Sequence, residues 1–331
     1  MIIDAHTHFV PNTFPAVEDR SSGTDWPFMQ QISEDTSDVI IGGVNFRRVL
    51  SRCWNVSRRI AEMPDQGIDK QVLSPMPRLL AYELNPIDGL DLSRYLNKFV
   101  SQMIASAPDR FYGLGSVPLQ DVNIATKELT QIQDMGLNGV EVLTNINGKN
   151  LGDKEFRPFL KEAERLGMAI FSHAQHPTFQ ERMVGPDPIQ NAIGFPIENG
   201  LAASAVITSG ALEEFPHLRI LFSHGGGVLS TILPRLENAW HRQESLQKVL
   251  PKSPLEYARM CYFDDVVFDE RALRYLIELI GSEQIVIGSD YPFAFRNEIP
   301  EQIFTNLDMS KEQRTGISSK NVMRFLGIKS I

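Results

Sequence analysis

Cysteine is nearly absent from this sequence: Cys53 and Cys261 are the only two in 331 residues. A disulfide framework needs more, so both are read as free thiols in a reducing compartment. No basic run stands out and the formal net charge is −9, which removes the electrostatic footprint of a nucleic-acid binder. No apolar stretch approaches the roughly 20 residues that span a bilayer. The chain opens on a strand pattern rather than a basic segment followed by an apolar one, so no signal peptide and a cytoplasmic location are expected. A small-molecule ligand remains, with neither nucleic acid nor membrane as partner. Apolar residues at 42% and charged residues at 22% are ordinary globular values that permit a large core.

What is present is alternation. Eight short apolar runs recur: "MIIDAHTH" at the start, "KQVLSPM" from Lys70, "FYGLGSV" from Phe111, "GVEVLT" from Gly139, "MAIFSH" from Met168, "LRILFSH" from Leu218, "CYFDDVVF" from Cys261 and "QIVIGSD" from Gln284. Such runs fit strands buried on both faces of a parallel sheet. Between them lie helical stripes: Leu92, Leu96, Phe99, Val100, Met103 and Ile104; Phe159, Leu160, Ala163 and Leu166; Leu273, Leu276, Ile277 and Ile280. Spacings of three and four put each set on one helix face. Gly167 and Gly281 follow two of them as stop signals, and Ser253-Pro254-Leu255-Glu256 reads as a capping box. Eight strands alternating with helices predict an α/β fold, a (β/α)8 TIM barrel spanning residues 1–331 as one domain. The competing doubly wound sheet lacks a Gly-rich dinucleotide fingerprint after the first strand. Residues 12–55 break the alternation and are expected to form an inserted lid or small cap. Residues 174–197 form a second long loop.

The polar residues fall in a pattern. His6 and His8 end the first run, His173 the fifth, His224 the sixth and Asp290 the eighth. Residues two apart on a strand point the same way. In a closed barrel the C-terminal strand ends form one face, where active sites are built, and the eighth strand lies beside the first. Three imidazoles and a carboxylate then converge on one point. This donor set suits zinc first, with iron, manganese or cobalt as alternatives. A divalent ion with an open position activates water at neutral pH, and His224 stands where a base is needed.

The same residues carry a resemblance. "DAHTH", His173, "SHGGG" and "GSDYP" resemble the amidohydrolase superfamily, and "AEMPDQGIDKQVLSPMP", "SVPLQD", "LGDK", "RLENAW" and "GSDYPF" resemble its metal-dependent decarboxylase branch over nearly the whole chain. The resemblance implies that His6, His8, His173 and Asp290 hold one Zn2+ and that His224 is the catalytic base, with Asp290 also relaying protons. It implies that Arg47, in "NFRRV", holds a substrate carboxylate, and that Arg235, in "PRLENAW", reaches a neighbouring pocket across a homodimer interface. His176 and Phe293 complete the candidate substrate contacts. "GVEVLT" carries no lysine, where two-metal members of the superfamily carry a carbamylated one, so a single metal is expected; Glu141 is the polar residue there. Where the branch has a Pro-Trp segment after the strand-five histidine, this chain reads "AQHPTFQERM".

The implied activity is a zinc-dependent non-oxidative decarboxylation of an unsaturated or aromatic carboxylic acid bearing an amino or hydroxyl group. The alternative on the same metal is a hydrolase or hydratase acting on a lactone, an amide or a ring-cleavage product.

Overall fold

The computed structural model describes residues 1–17, 20–186, 188–293 and 299–328. The chain enters on β1 (Ile3–Phe9) and then builds a small antiparallel sheet of β2 (Phe28–Ser33), β3 (Thr36–Ile41) and β4 (Val44–Leu50). Strand and helix then alternate through β5 (Lys70–Pro75), β6 (Phe111–Gly115), β7 (Gly139–Leu143), β8 (Ala169–His173), β9 (Arg219–Phe222), β10 (Tyr262–Asp264) and β11 (Ile285–Val286). The large sheet runs β1-β5-β6-β7-β8-β9-β10-β11, every registered pair parallel. Backbone bonds from Ala5 to Ile287 (2.8 Å), Asp290 to His6 (3.0 Å) and His8 to Tyr291 (2.7 Å) bring the last strand against the first. The sheet is the expected (β/α)8 barrel, and every residue of β1, β7 and β8 is buried.

The helical stripes fold as their spacing predicts. Helices Pro86–Ser106, Arg157–Leu166 and Glu270–Ile280 bury Leu92, Leu96 and Val100; Phe159, Leu160 and Ala163; and Leu273, Leu276 and Ile280. Gly167 ends the second in the left-handed conformation, φ 63°, that glycine adopts without steric cost. Ser253 and Glu256 make the predicted reciprocal capping box. Inside the barrel Ala5, Val72, Leu114, Phe171 and Leu221 pack together, and Val322, Phe325 and Leu326 of the C-terminal helix close that cluster. Both cysteines are buried free thiols.

Two details set the stage for the site. The register between β1 and β5 shifts between Asp4 and Thr7. Across this irregularity Ala5 joins the apolar cluster that holds Phe171, and its neighbour His6 meets the Phe171 ring at 4.9 Å. Residues 12–55 add no strand to the barrel. They make the small sheet, whose β4 brings Phe46 to Leu50 to the barrel mouth. Among the described residues no helix is long and apolar enough to cross a membrane.

Candidate metal centre

One ligand atom each from His6, His8, His173 and Asp290 lies within 4.8 Å of the other three, and all four residues are buried. His6 Nε2 and His8 Nε2 are 3.1 Å apart. Asp290 Oδ1 lies 3.2 Å from His8 Nε2 and 3.5 Å from His6 Nε2. His173 Nε2 and Asp290 Oδ1 have no hydrogen-bond partner among the described residues. Buried polar atoms are nearly always satisfied. An orphaned imidazole nitrogen and carboxylate oxygen facing two more imidazoles fit a divalent cation.

The remaining ring nitrogens are all engaged. His8 Nδ1 bonds the Pro75 carbonyl at 3.0 Å and His173 Nδ1 the Ala174 carbonyl at 2.9 Å. A carbonyl only accepts, so Nδ1 carries the proton and Nε2 presents a bare lone pair to the centre. His6 Nδ1 lies 2.7 Å from Asp264 Oδ2. Burial pushes His8 down to about 4 and His173 well below the usual imidazole range, so both are neutral near pH 7. For His6 burial also disfavours the cation, but the Asp264 bond and the charges of Asp290, Asp264 and Asp4 outweigh it and the pKa rises. Burial opposes ionisation of Asp290, yet His224, His6 and His8 together hold it well below the usual carboxylate range. Neutral His8 and His173 beside an ionised carboxylate are in the protonation states that ligation requires, and His6 reaches its own by giving up a proton.

His224 follows β9 by two residues at φ 53°, and Gly225, Gly226 and Gly227 continue at positive φ. A Cβ on Gly227 would lie 1.9 Å from the Pro196 carbonyl oxygen, so only glycine permits this tight turn. His224 Nε2 faces Asp290 Oδ2 at 3.5 Å. Its Nδ1 is held at 3.0 Å by the Asn199 side-chain amide, which also bonds Ser223 Oγ at 3.1 Å; with the amide turned so that its oxygen meets Nδ1, the proton sits on Nδ1 and Nε2 is bare. Asn199, on helix Phe195–Thr208, is fully buried.

Asp290 departs from its expected place. The sequence puts it at the end of the eighth strand, but β11 stops at Val286 and Asp290 stands four residues on at φ 65°. The physical reason lies in side chains that replace the ladder: Gly288 N–H donates to Asp265 Oδ1 at 2.7 Å and Ser289 N–H to Asp4 Oδ1 at 3.1 Å. Burial raises both of these carboxyls, Asp4 to about 7 and Asp265 well above its usual range.

A cavity of about 490 Å3 opens over the cluster, and Arg47, Arg48, Arg52 and Arg78 stand in its wall with His173, Asp290 and Phe293. Arg48 pairs with Asp38, Arg52 with Glu62 and Arg78 with Glu83. Arg47 has no carboxylate partner among the described residues. Its guanidinium lies over the Phe293 ring at 4.2 Å, and that ring stacks on His8 at 5.3 Å. Five of the expected groups, together with Arg47 and Phe293, are therefore brought to one mouth.

Two are not. Arg235 is exposed on helix Leu229–Arg242 and lines no part of this cavity. His176 is exposed, at φ 51°, in the loop after β8. Glu141 is buried 3.9 Å from His8 Nδ1, and burial with Asp290 nearby holds its carboxyl well above the usual range. Asn199 and Asp264 escaped the sequence reading. For Asp264 a signal existed, the paired carboxylates of "CYFDDVVF" at a strand end.

Comparison with known proteins places this geometry. A family profile described as Amidohydrolase matches residues 3–328. The 2-amino-3-carboxymuconate-6-semialdehyde decarboxylase of Dictyostelium discoideum is 33% identical over 98% of this chain and 91% of its own length. Among solved structures, the IDCase of Metarhizium anisopliae superposes with a TM-score of 0.83 at 21% identity, covering 98% of this chain and 97% of that one. The 5-carboxyvanillate decarboxylase of Sphingomonas paucimobilis superposes with a TM-score of 0.80 at 25% identity, covering 99% of each chain.

Proposed function

This chain belongs to the amidohydrolase family, and from that premise we propose that it is a metal-dependent, non-oxidative decarboxylase of an unsaturated or aromatic acid. One observation carries the reading. Arg47, with no carboxylate partner among the described residues, shares a cavity with His173 and Asp290, whose Nε2 and Oδ1 have no hydrogen-bond partner among them. A guanidinium pairs with carboxylate in a two-bond fork, so Arg47 orients an anionic substrate against the cluster. The proposed substrate is an unsaturated or aromatic acid carrying an amino or hydroxyl group, a class that includes the amino-substituted unsaturated acid in the Dictyostelium relative's name.

His6, His8, His173 and Asp290 hold the ion, for which zinc is the first choice on donor chemistry. When bound, it supplies positive charge next to the developing anion and activates water. His224 Nε2 takes a proton from water and delivers it to the carbon bearing the carboxylate. That proton bonds through the carbon's π pair; the C–C bond then breaks, its electron pair restores the double bond, and carbon dioxide leaves, with the hydroxide left from water balancing the charge. Asn199 and Ser223 keep Nε2 aimed at this point. Phe293 covers His8 and, with Arg47, keeps water from the reacting face.

Residues 1–331 are read as one barrel domain, with 12–55 serving as a lid that supplies Arg47. A homodimer in the cytoplasm is the proposed assembly. Ile193, Ile197 and Leu201, spaced by four, are exposed, and so are Ile232 and Arg235 on the contacting helix Leu229–Arg242. Such an unpartnered apolar stripe suits a second copy, whose approach brings Arg235 toward the neighbouring site. Carbon dioxide release from a panel of amino- and hydroxy-substituted diene and aryl acids tests the activity, run before and after chelation and after restoring Zn2+ or Mn2+. Metal-dependent release supports it. Hydrolysis products without carbon dioxide reject it in favour of the hydrolase alternative.

A further inference from the structure

Arg59, on helix Val56–Glu62, is wholly buried and forms no ion pair with a carboxylate among the described residues. Glu62, three residues further along the same helix, is already engaged by Arg52 at 3.0 Å and Arg58 at 3.2 Å. The Arg59 guanidinium reaches three other segments instead. Its Nε donates to Gln71 Oε1 on β5 at 2.7 Å and its Nη1 to the His8 carbonyl on β1 at 2.8 Å. Its central carbon lies over the Tyr291 ring, 4.8 Å from the ring centre. Nη2 has no hydrogen-bond partner among the described residues. Burying a cation without a counter-charge is costly, and no ion pair offsets it here.

Two of these contacts fall on the backbone that carries the metal cluster. His8 is one ligand, and Tyr291 follows the ligand Asp290. The His8 N–H donates to the Tyr291 carbonyl at 2.7 Å, and Asp290 Oδ1 meets His8 Nε2 at 3.2 Å. Asp290 stands at φ 65°, a left-handed conformation that persists only where the surroundings hold it. Tyr291 supplies part of that hold, with its ring against Arg59 and its hydroxyl donating to Glu62 Oε2 at 2.9 Å. Residues 59 and 62 share one helix face, and so grip the same side chain by its ring face and by its tip.

We propose that Arg59 is a positioning residue for the metal centre: it clamps the His8 carbonyl and the Tyr291 ring, and so fixes the ligands His8 and Asp290 against each other. This rests on the reading of His6, His8, His173 and Asp290 as metal ligands, and not on the reaction that follows. The sign of the effect separates a clamp from plain electrostatics. A fixed positive charge repels an incoming cation, so by charge alone the loss of Arg59 tightens metal binding. Loss of a clamp weakens it.

Zinc affinity is measured by competition with a chromophoric chelator at pH 8.5, where proton competition at His6 is weakest. The visible spectrum of Co2+-substituted protein reports the ligand geometry alongside. Arg59→Met is expected to weaken zinc binding by about 10–100-fold and to shift the Co2+ spectrum. Tyr291→Leu, which removes the ring face, is expected to do the same. Tyr291→Phe, which keeps the ring and loses only the bond to Glu62, should stay within about threefold of the parent. Arg59→Lys keeps the charge but not the fork that serves Gln71 and His8 together, and should fall between the parent and Arg59→Met. Thermal melting of the metal-free variants is the control; if Arg59→Met does not fold, Arg59→Lys and Tyr291→Leu carry the comparison. Unchanged or tighter zinc binding in the folded variants overturns the proposal, whatever their melting temperatures. A parent protein that binds no zinc sinks the metal centre and the clamp together, whereas a parent and variants that bind it equally well sink the clamp alone.

Discussion

Asp264 ties the ligand His6 to the turn that carries His224. Its Oδ2 lies 2.7 Å from His6 Nδ1, while its Oδ1 accepts from the Gly225 N–H at 2.9 Å and the Val266 N–H at 3.1 Å. One buried carboxylate thus orients a metal-facing ring and fixes the backbone next to the proposed base. Outer partners of this kind are worth about 10–100-fold in metal affinity. Asp264→Asn, which keeps the shape and removes the charge, is expected to weaken zinc binding by that factor. Turnover should fall with it and recover in part at raised zinc. A competition assay with a zinc indicator measures this, and an unchanged affinity would show Asp264 to be a turn residue only.

Arg47 differs from the other three arginines of its cavity in having no carboxylate partner among the described residues. Loss of a charged hydrogen bond is worth about 1.5–3 kcal/mol. Arg47→Ala should therefore raise KM by about 10–100-fold and disturb kcat much less. Arg47→Lys should restore little, because an ammonium cannot reproduce the two-bond fork or the stacking over Phe293. Steady-state kinetics on one acid, with metal content assayed in parallel, decides it. A fall in kcat at constant KM would move Arg47 from binding to chemistry.

His6 and His8 were legible because a strand repeats every two residues, and the structure keeps both rings on one face despite the irregularity between Asp4 and Thr7. His173 was legible because β8 ends on it. Asn199 was not. It sits inside "FPIENGLAASAVIT", an apolar helix with no polar stripe to mark it, and its function depends on that helix lying against the turn at His224. Arg235 read as a site residue through resemblance alone, and its position on an exposed helix face leaves its role to the proposed dimer. The placement of Asp290 beyond β11 needed Asp4 and Asp265, two side chains bonding backbone N–H groups far away in sequence, which no local pattern reveals.

Ion binding should release a proton, and the sign follows from the histidines. The His6 pKa lies above 6.5, while His8 is pushed down to about 4 and His173 well below 6.5. Below the raised His6 pKa the metal-free cluster therefore holds one proton, on His6, which an incoming cation must displace. Affinity should fall about tenfold per pH unit as pH drops below that pKa, level off above it, and steepen again toward pH 4 as His8 begins to compete. Calorimetry at pH 6.5 and 8.5 in buffers of different ionisation enthalpy counts the protons. Net proton release from His6 is expected at pH 6.5, with ionisation of bound water adding its own release at pH 8.5; no release, or uptake, at pH 6.5 contradicts the assignment.

Asn199 contacts no substrate cavity wall by itself, yet it holds His224 Nδ1 at 3.0 Å and is held by Ser223 in turn. With the amide oxygen toward Nδ1, the proton is held there and Nε2 faces Asp290 as a bare base. Acid–base groups contribute about 10²–10⁴-fold, and they do so only when aimed at the reacting atom. Asn199→Ala frees the ring to rotate, so kcat should fall by about 10–100-fold while KM and zinc content stay within twofold. Asn199→Asp restores an acceptor for Nδ1–H and should recover part of the loss. A buried truncation also costs about 1–3 kcal/mol of stability, so thermal melting of both variants is the control. Were Asn199 merely structural, activity would follow stability in the two variants, with KM and metal content drifting alongside; a positioning role predicts that kcat alone separates Ala from Asp at matched stability.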